Sequence, residues 1–230
     1  MRTANDRARK KIRVILTGAT GMVGEGVLHE CLKHSDVEHV LVINRRPCGI
    51  NHPKLSEIVH ADLFDLSSFE SQLSGYNACF FCLGVSSVGM DEAAYSRITY
   101  GLTLYVTGLL SQLNADMVLC YVTAGGTDST EKGKSMWARV KGRTENHLLK
   151  LPFKKAYMFR PGYIHPTKGL TNAHRYYAAI TWMYPILRWL IPKHVITLEE
   201  MGRAMIHLVS QEHEGTILDS QEMAKVAQMR

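Results

Sequence analysis

The chain has 230 residues, 46% hydrophobic and 21% charged, which is enough to bury one full core and too apolar for a disordered protein. Of the net charge of +6, five units fall in residues 1–13, where six basic side chains face Asp6 alone; the nearly neutral remainder excludes a broad nucleic-acid-binding face. Five cysteines, an odd number partly inside apolar runs, speak against a disulfide framework, and the eleven histidines form no ligand-like cluster, so no metal site is expected.

Residues 1–11 read as a solvated basic tail with no apolar core of a secretory signal, so a cytoplasmic location is expected. The run Ile12, Val14, Ile15, Leu16 has the length and β-branched content of a buried strand. It ends in Gly18, Gly21 and Gly24, and an amphipathic helix starts at Met22. This is the strand, glycine turn and helix that a dinucleotide needs: Gly18 for the turn, Gly21 for backbone approach to a pyrophosphate, Gly24 for close helix–strand packing. The helix N-terminus adds unpaired N–H groups and a positive dipole end.

A second strand is expected over Glu38 to Asn44 and a short third over Ile58 to Ala61, closing on Asp62 and Leu63. Ser67 and Glu70 have capping-box spacing for a short helix. The fourth strand, Ala78 to Leu83, contains Cys79 and Cys82. Three residues apart on a strand they point to opposite faces, which excludes a paired redox or metal motif. A proline-free helix runs from about Asp91 to Leu113, followed by a fifth strand over Met117 to Val122 and a polar loop to Lys134. A helix over Ser135 to Leu149 and a sixth strand over Lys155 to Phe159 lead into Arg160-Pro-Gly162.

Tyr176 to Ile191 is strongly apolar but holds Pro185 and Arg188 and is too short for a membrane span; burial over a pocket or in a homodimer contact is expected, with membrane-surface attachment as the alternative. Thr197 and Glu200 have capping-box spacing for a helix to about Ser210. Ile217 and Leu218 suit a final short strand, and Gln221 to Arg230 a helix or a frayed end. The alternation predicts an α/β, Rossmann-type doubly wound parallel sheet in one domain over 12–230, with 166–215 as a small helical C-terminal cap or interface region.

The segments TGATGMVG, NRR, HADL, CLG, YVTAGGTDS, MWARVKGRTEN and MFRPGYI together resemble the atypical short-chain dehydrogenase/reductases, in particular the NAD(P)-binding epimerase/dehydratase-like proteins, over about residues 12–165. The resemblance implies that Thr17, Gly18, Gly21 and Gly24 frame the pyrophosphate, with Thr20, Met22 and Val23 among the cofactor-binding residues. It implies Arg45 or Arg46 at the adenosine ribose, Asp62 and Leu63 at the adenine, Leu83 and Gly84 at the ribose further along, and Asn44 and Val85 among the cofactor-binding residues. Thr123 is implied near the reacting carbon, Lys141 on the nicotinamide ribose, and Pro161, Gly162 and Ile164 along the nicotinamide.

One departure bears on chemistry. Where the family's tyrosine should stand, four residues before Lys141, the chain has Trp137. Positions i and i+4 share a helix face, but an indole N–H only donates and does not exchange a proton usefully. Thr123, Tyr100, Tyr163 or a bound water are the candidates to replace it. The end of the second strand has no carboxylate for a ribose 2′-hydroxyl and adds Arg45 and Arg46, which suit a 2′-phosphate; NADP is the expected cofactor, with NAD as the alternative. Two functions stay open: an oxidoreductase or epimerase-like enzyme acting on an apolar small molecule, or a non-catalytic NADP(H) sensor.

Overall fold

A computed structural model describes residues 11–167, 169, 170, 172 and 184–229. The expected tail (1–10) and the first part of the apolar stretch (176–183) lie outside the described residues. Lys11 is described, and its amine donates to the Ser35 carbonyl at 3.1 Å.

The chain runs β1 (Ile12–Thr17), α1 (Met22–Lys33), β2 (Val37–Asn44), β3 (Leu55–Val59), a 3-10 turn (Ser67–Phe69) into α2 (Glu70–Leu73), β4 (Ala78–Phe81), α3 (Glu92–Ser96), a π-helical turn (Arg97–Leu102), α4 (Thr103–Leu113), β5 (Val118–Val122), α5 (Met136–Leu148), β6 (Lys155–Arg160) and β7 (Tyr163–His165). Then come α6 (Tyr184–Leu190), a 3-10 turn (Pro192–His194), β8 (Val195–Thr197), α7 (Leu198–Ser210), β9 (Ile217–Asp219) and α8 (Ser220–Val226).

Seven parallel strands form one sheet in the order β3-β2-β1-β4-β5-β6-β9. The fold is thus the expected Rossmann-like α/β sheet. Apolar side chains leave the strands on both faces, as a sheet covered on both sides requires. Val14, Leu16, Phe80 and Cys120 pack with α1, α7 and α8; Ile15, Phe81, Leu119 and Tyr121 pack with α4 and α5. Cys79 and Cys82 divide between these two cores, so they do not form a pair. Burial pushes the Cys79 thiol up to about 12, which makes it a small hydrophobe at neutral pH.

Several local expectations are corrected. The third strand lies earlier, at Leu55–Val59, because register with β2, and not its own hydrophobicity, selects it: Ile43 pairs Ile58 and Val42 pairs Glu57. Ser67 forms no capping box, since its N–H and hydroxyl both donate to the Asp65 carboxylate, at 3.1 and 2.6 Å. The helix expected over 91–113 does form, running without a gap from Glu92 to Leu113 with a π-helical segment at Arg97–Leu102. The Thr197–Glu200 capping box forms, and a second one, Asp219–Glu222, opens α8.

The expected cap divides. α7 belongs to the core, where Gly202 brings it close to Glu30 and Val27 of α1, and Gly26 accommodates Leu198. A second, two-stranded parallel sheet, β7–β8, and α6 stand outside the main sheet. Among the described residues no helix is long and apolar enough to cross a membrane.

Candidate functional site

The sheet order reverses between β1 and β4, so a crevice opens beyond their carboxyl ends. Gly18 has φ of +78°, and a Cβ there would lie 2.7 Å from the Leu83 amide nitrogen. At Gly24 a Cβ would meet the Gly18 carbonyl oxygen at 2.1 Å, so only glycine lets α1 start this close to the turn. Gly21 is the N-cap of α1 and supplies no side-chain cap, which leaves the first amides of the helix to a ligand.

Two adjoining cavities follow this turn. The first, about 430 Å³, is lined by Gly18, Thr20, Gly21, Asn44, Arg45, Arg46, Leu63, Cys82, Leu83 and Gly84. The second, about 450 Å³, shares Arg45, Leu63, Leu83 and Gly84 with the first and continues along Asp62, Phe64, Val85, Met90, Ala94, Arg97 and Ile98. Phe64 and the α3–π face were absent from the sequence-derived set; the helical spacing of Met90, Ala94, Arg97 and Ile98 was the signal available.

The remaining candidates have other positions. Thr17 is buried and joins strand ends: its carbonyl accepts from Cys82 N at 3.2 Å and its hydroxyl from Leu83 N at 3.4 Å. Met22 and Val23 pack against the core, where Ile164 is also buried, and none of the three lines either cavity. Asp62 closes a turn by accepting from the Phe64 amide at 2.9 Å. Arg45 and Arg46 are exposed and make no ion pair among the described residues.

Beyond the two cavities, past β5 and β6, stand Thr123, Trp137, Lys141, Pro161 and Gly162. Thr123 is buried, with its amide on the Phe159 carbonyl at 2.8 Å. Its hydroxyl lies 2.8 Å from that of Thr127, which donates to the Ala124 carbonyl at 2.8 Å. With the Thr127 proton so engaged, Thr123 donates to Thr127 and keeps its lone pairs to accept. Trp137 extends its ring to Gly126, where a Cβ would lie 3.4 Å from it. Gly162 has no room for a side chain beside the His194 carbonyl, and its amide donates to Ser220 at 3.2 Å.

Lys141 lies one turn after Trp137 on α5. Burial lowers its amine to about 8, against the opposing effect of the Glu145 carboxylate one turn further on. Glu145 is itself buried and held by the Arg160 guanidinium, whose Nε donates to both carboxylate oxygens at 3.1 Å. No cluster of three or more metal-ligating side chains occurs among the described residues.

The chain is 22% identical over 161 residues to Protein FMP52-1, mitochondrial, of Scheffersomyces stipitis, covering 67% of this chain and 70% of that protein. It is 28% identical over 155 residues to Protein fmp52-1, mitochondrial, of Aspergillus oryzae, covering 65% of this chain and 64% of the relative. It thus spans about two thirds of the length of these relatives. Among solved structures, the Bordetella bronchiseptica enzyme WbmG in complex with NAD superposes with a TM-score of 0.68 at 13% identity, covering 96% of this chain and 78% of that one. A UDP-N-acetylglucosamine 4-epimerase from Methanobrevibacter ruminantium M1 gives 0.65 at 16% identity, covering 90% and 76%. At these identities the structures speak for the fold alone. The sequence profile of the NAD dependent epimerase/dehydratase family matches residues 14–132, through the glycine turn, the arginine turn and the Thr123 loop, and the chain belongs to that family.

Proposed function

We propose that the chain binds NADP(H) along the two cavities and acts as an oxidoreductase or epimerase-like enzyme on a small apolar alcohol or carbonyl compound. The observation that carries this reading is the cleft over the uncapped N-terminus of α1, lined by Asn44, Arg45 and Arg46 at the end of β2 with no carboxylate among its lining residues. A 2′-phosphate suits two guanidiniums, which pair with it through charge-assisted, bidentate hydrogen bonds.

The residues fit the group. Gly18, Gly21 and Gly24 give the close backbone approach a pyrophosphate needs, Leu63 lines the wall for the adenine, and Leu83 and Gly84 line that for the ribose further along. Bound there, the nicotinamide supplies a hydride donor or acceptor. The chain's own contribution is the proton. Thr123, donating to Thr127, is set to accept from a substrate hydroxyl. Lys141 has an amine that gains or loses a proton near neutral pH, which the Trp137 indole does not.

The second reading, an NADP(H) sensor, rests on Trp137 at the tyrosine position. The two are separated by NADPH consumption over a panel of aldehydes, ketones and quinones. Slow turnover is expected, since losing a positioned acid/base costs about two to four powers of ten. Thr123→Ala and Lys141→Ala should each lower it further while both variants still fold. Turnover that survives both substitutions would remove these residues from the chemistry, and inactivity across the panel with tight NADPH binding would favour the sensor.

A further inference from the structure

After Asn44 the chain leaves β2, turns through Arg45, Arg46 and Pro47, and comes back at Cys48. Neither arginine is held by an ion pair among the described residues, so their placement depends on the backbone beneath them. That backbone is tied down by a residue outside the turn. Glu57 lies in the middle of β3, paired in register with Val42. Its side chain therefore stands on the same sheet face as those of Val42 and Asn44. One atom, Glu57 Oε1, accepts from Asn44 Nδ2 at 3.4 Å and from the Cys48 amide at 2.8 Å. Burial raises the Cys48 thiol above its usual range, and the Glu57 carboxylate adds to the rise.

We infer that Glu57 is the positioning residue of the arginine turn, clamping both its ends to one carboxylate oxygen so that Arg45 and Arg46 are presented together to a 2′-phosphate. The bracing around it is consistent. The Asn44 carbonyl accepts from the His60 amide at 2.9 Å, which pins the exit of β2 to the end of β3. Pro47 fixes one φ angle inside the turn. Gly49, at φ of +74°, lets the chain reverse after Cys48, and Ile50 packs against the core. Holding two long arginines on a prearranged turn lowers the ordering cost paid when they bind a phosphate.

A carboxylate bound to the turn that carries two arginines has a competing role, as a negative charge that weakens phosphate binding. Clamp and charge predict opposite results for two variants. Glu57→Gln keeps the accepting Oε1 and loses the charge. Glu57→Asp keeps the charge and shortens the reach by one methylene.

The inference rests on the NADP(H) reading above, and one calorimetric experiment on the full chain separates the two. NADPH, NADH and ADP are titrated into the native protein and both variants. The clamp predicts that Glu57→Gln holds the native ratio of NADPH to NADH affinity within about twofold, while Glu57→Asp lowers it by about fivefold or more. ADP, which carries no 2′-phosphate, should bind all three proteins alike and so reports that the cleft is folded. A native protein that does not prefer NADPH overturns the cofactor reading and this inference with it. A native preference that Glu57→Asp leaves intact, or that Glu57→Gln strengthens severalfold, overturns the clamp alone. Should Glu57→Asp also lose ADP binding, Asn44→Leu, which removes one of the two donors, must lower the ratio for the clamp to stand.

Discussion

At the scale of the residue, the proposed chemistry turns on Trp137 and Lys141. Their spacing on one helix face was legible in the sequence, and so was the loss of a titrating phenol. Glu145 shares that face by the same four-residue spacing, whereas the amine's burial was not legible, because it depends on how α5 is seated. The same holds for Thr127 and Glu57: one reaches Thr123 through a loop turn, the other reaches Asn44 through strand register. The Lys141 amine, lowered to about 8, gives a pH prediction with a definite sign. If its ammonium donates the proton in carbonyl reduction, the rate falls as pH rises through about 8, while alcohol oxidation rises over the same range. In Trp137→Tyr a phenol returns to the expected position, and turnover should increase by about tenfold or more unless the indole holds the substrate. Steady-state rates against pH for both proteins check this, and a flat profile in the native protein would remove Lys141 from proton transfer. Burial of the ammonium also opposes folding at neutral pH, so the Lys141 contribution to stability rises from about pH 8 up to the unfolded value of 10.5.

At the scale of the element, patterns that close within a few residues were legible, and those set by distant partners were not. The Thr197–Glu200 capping box forms as spaced, the Thr197 hydroxyl accepting from the Glu200 amide and the Glu200 carboxylate from the Thr197 amide, both at 3.0 Å. Ser67 has the same spacing to Glu70 but stands two residues after Asp65, whose carboxylate takes its donors. β3 follows its register with β2 and so ends before Ala61. Glu200 has a second task, accepting from Arg188 of α6 at 2.7 Å; burial raises its carboxyl, but the Arg188 and Thr197 hydrogen bonds outweigh this and hold it below the usual range. Two glycines give opposite predictions for one substitution. Gly24→Ala drives a methyl into the Gly18 carbonyl, and should cost about 1–3 kcal/mol or more and abolish dinucleotide binding. Gly108, inside α4, has nothing within 4 Å of its Cβ position, so Gly108→Ala should stabilise by about 0.5–1 kcal/mol and leave binding unchanged. Urea unfolding with NADPH titration checks both; a tolerated Gly24→Ala would contradict the packing role given to the turn.

At the scale of the whole molecule, the parallel sheet was legible because its buried strands are continuous apolar runs alternating with amphipathic helices. The crevice at the switch point followed from that topology. The C-terminal region was less legible, since an apolar stretch does not reveal what it faces. In α6 and the residue after it, Ile186, Trp189, Leu190 and Ile191 are 50%, 80%, 59% and 43% exposed. The function proposed above requires that the cleft between α1, the arginine turn and β4 take NADP(H). Calorimetric titration of the native chain and of Arg45→Ala with NADPH and NADH tests it most directly. Tighter NADPH binding by about tenfold, narrowed in Arg45→Ala, is the expected result; equal or tighter NADH binding, or no binding of either nucleotide, would contradict it.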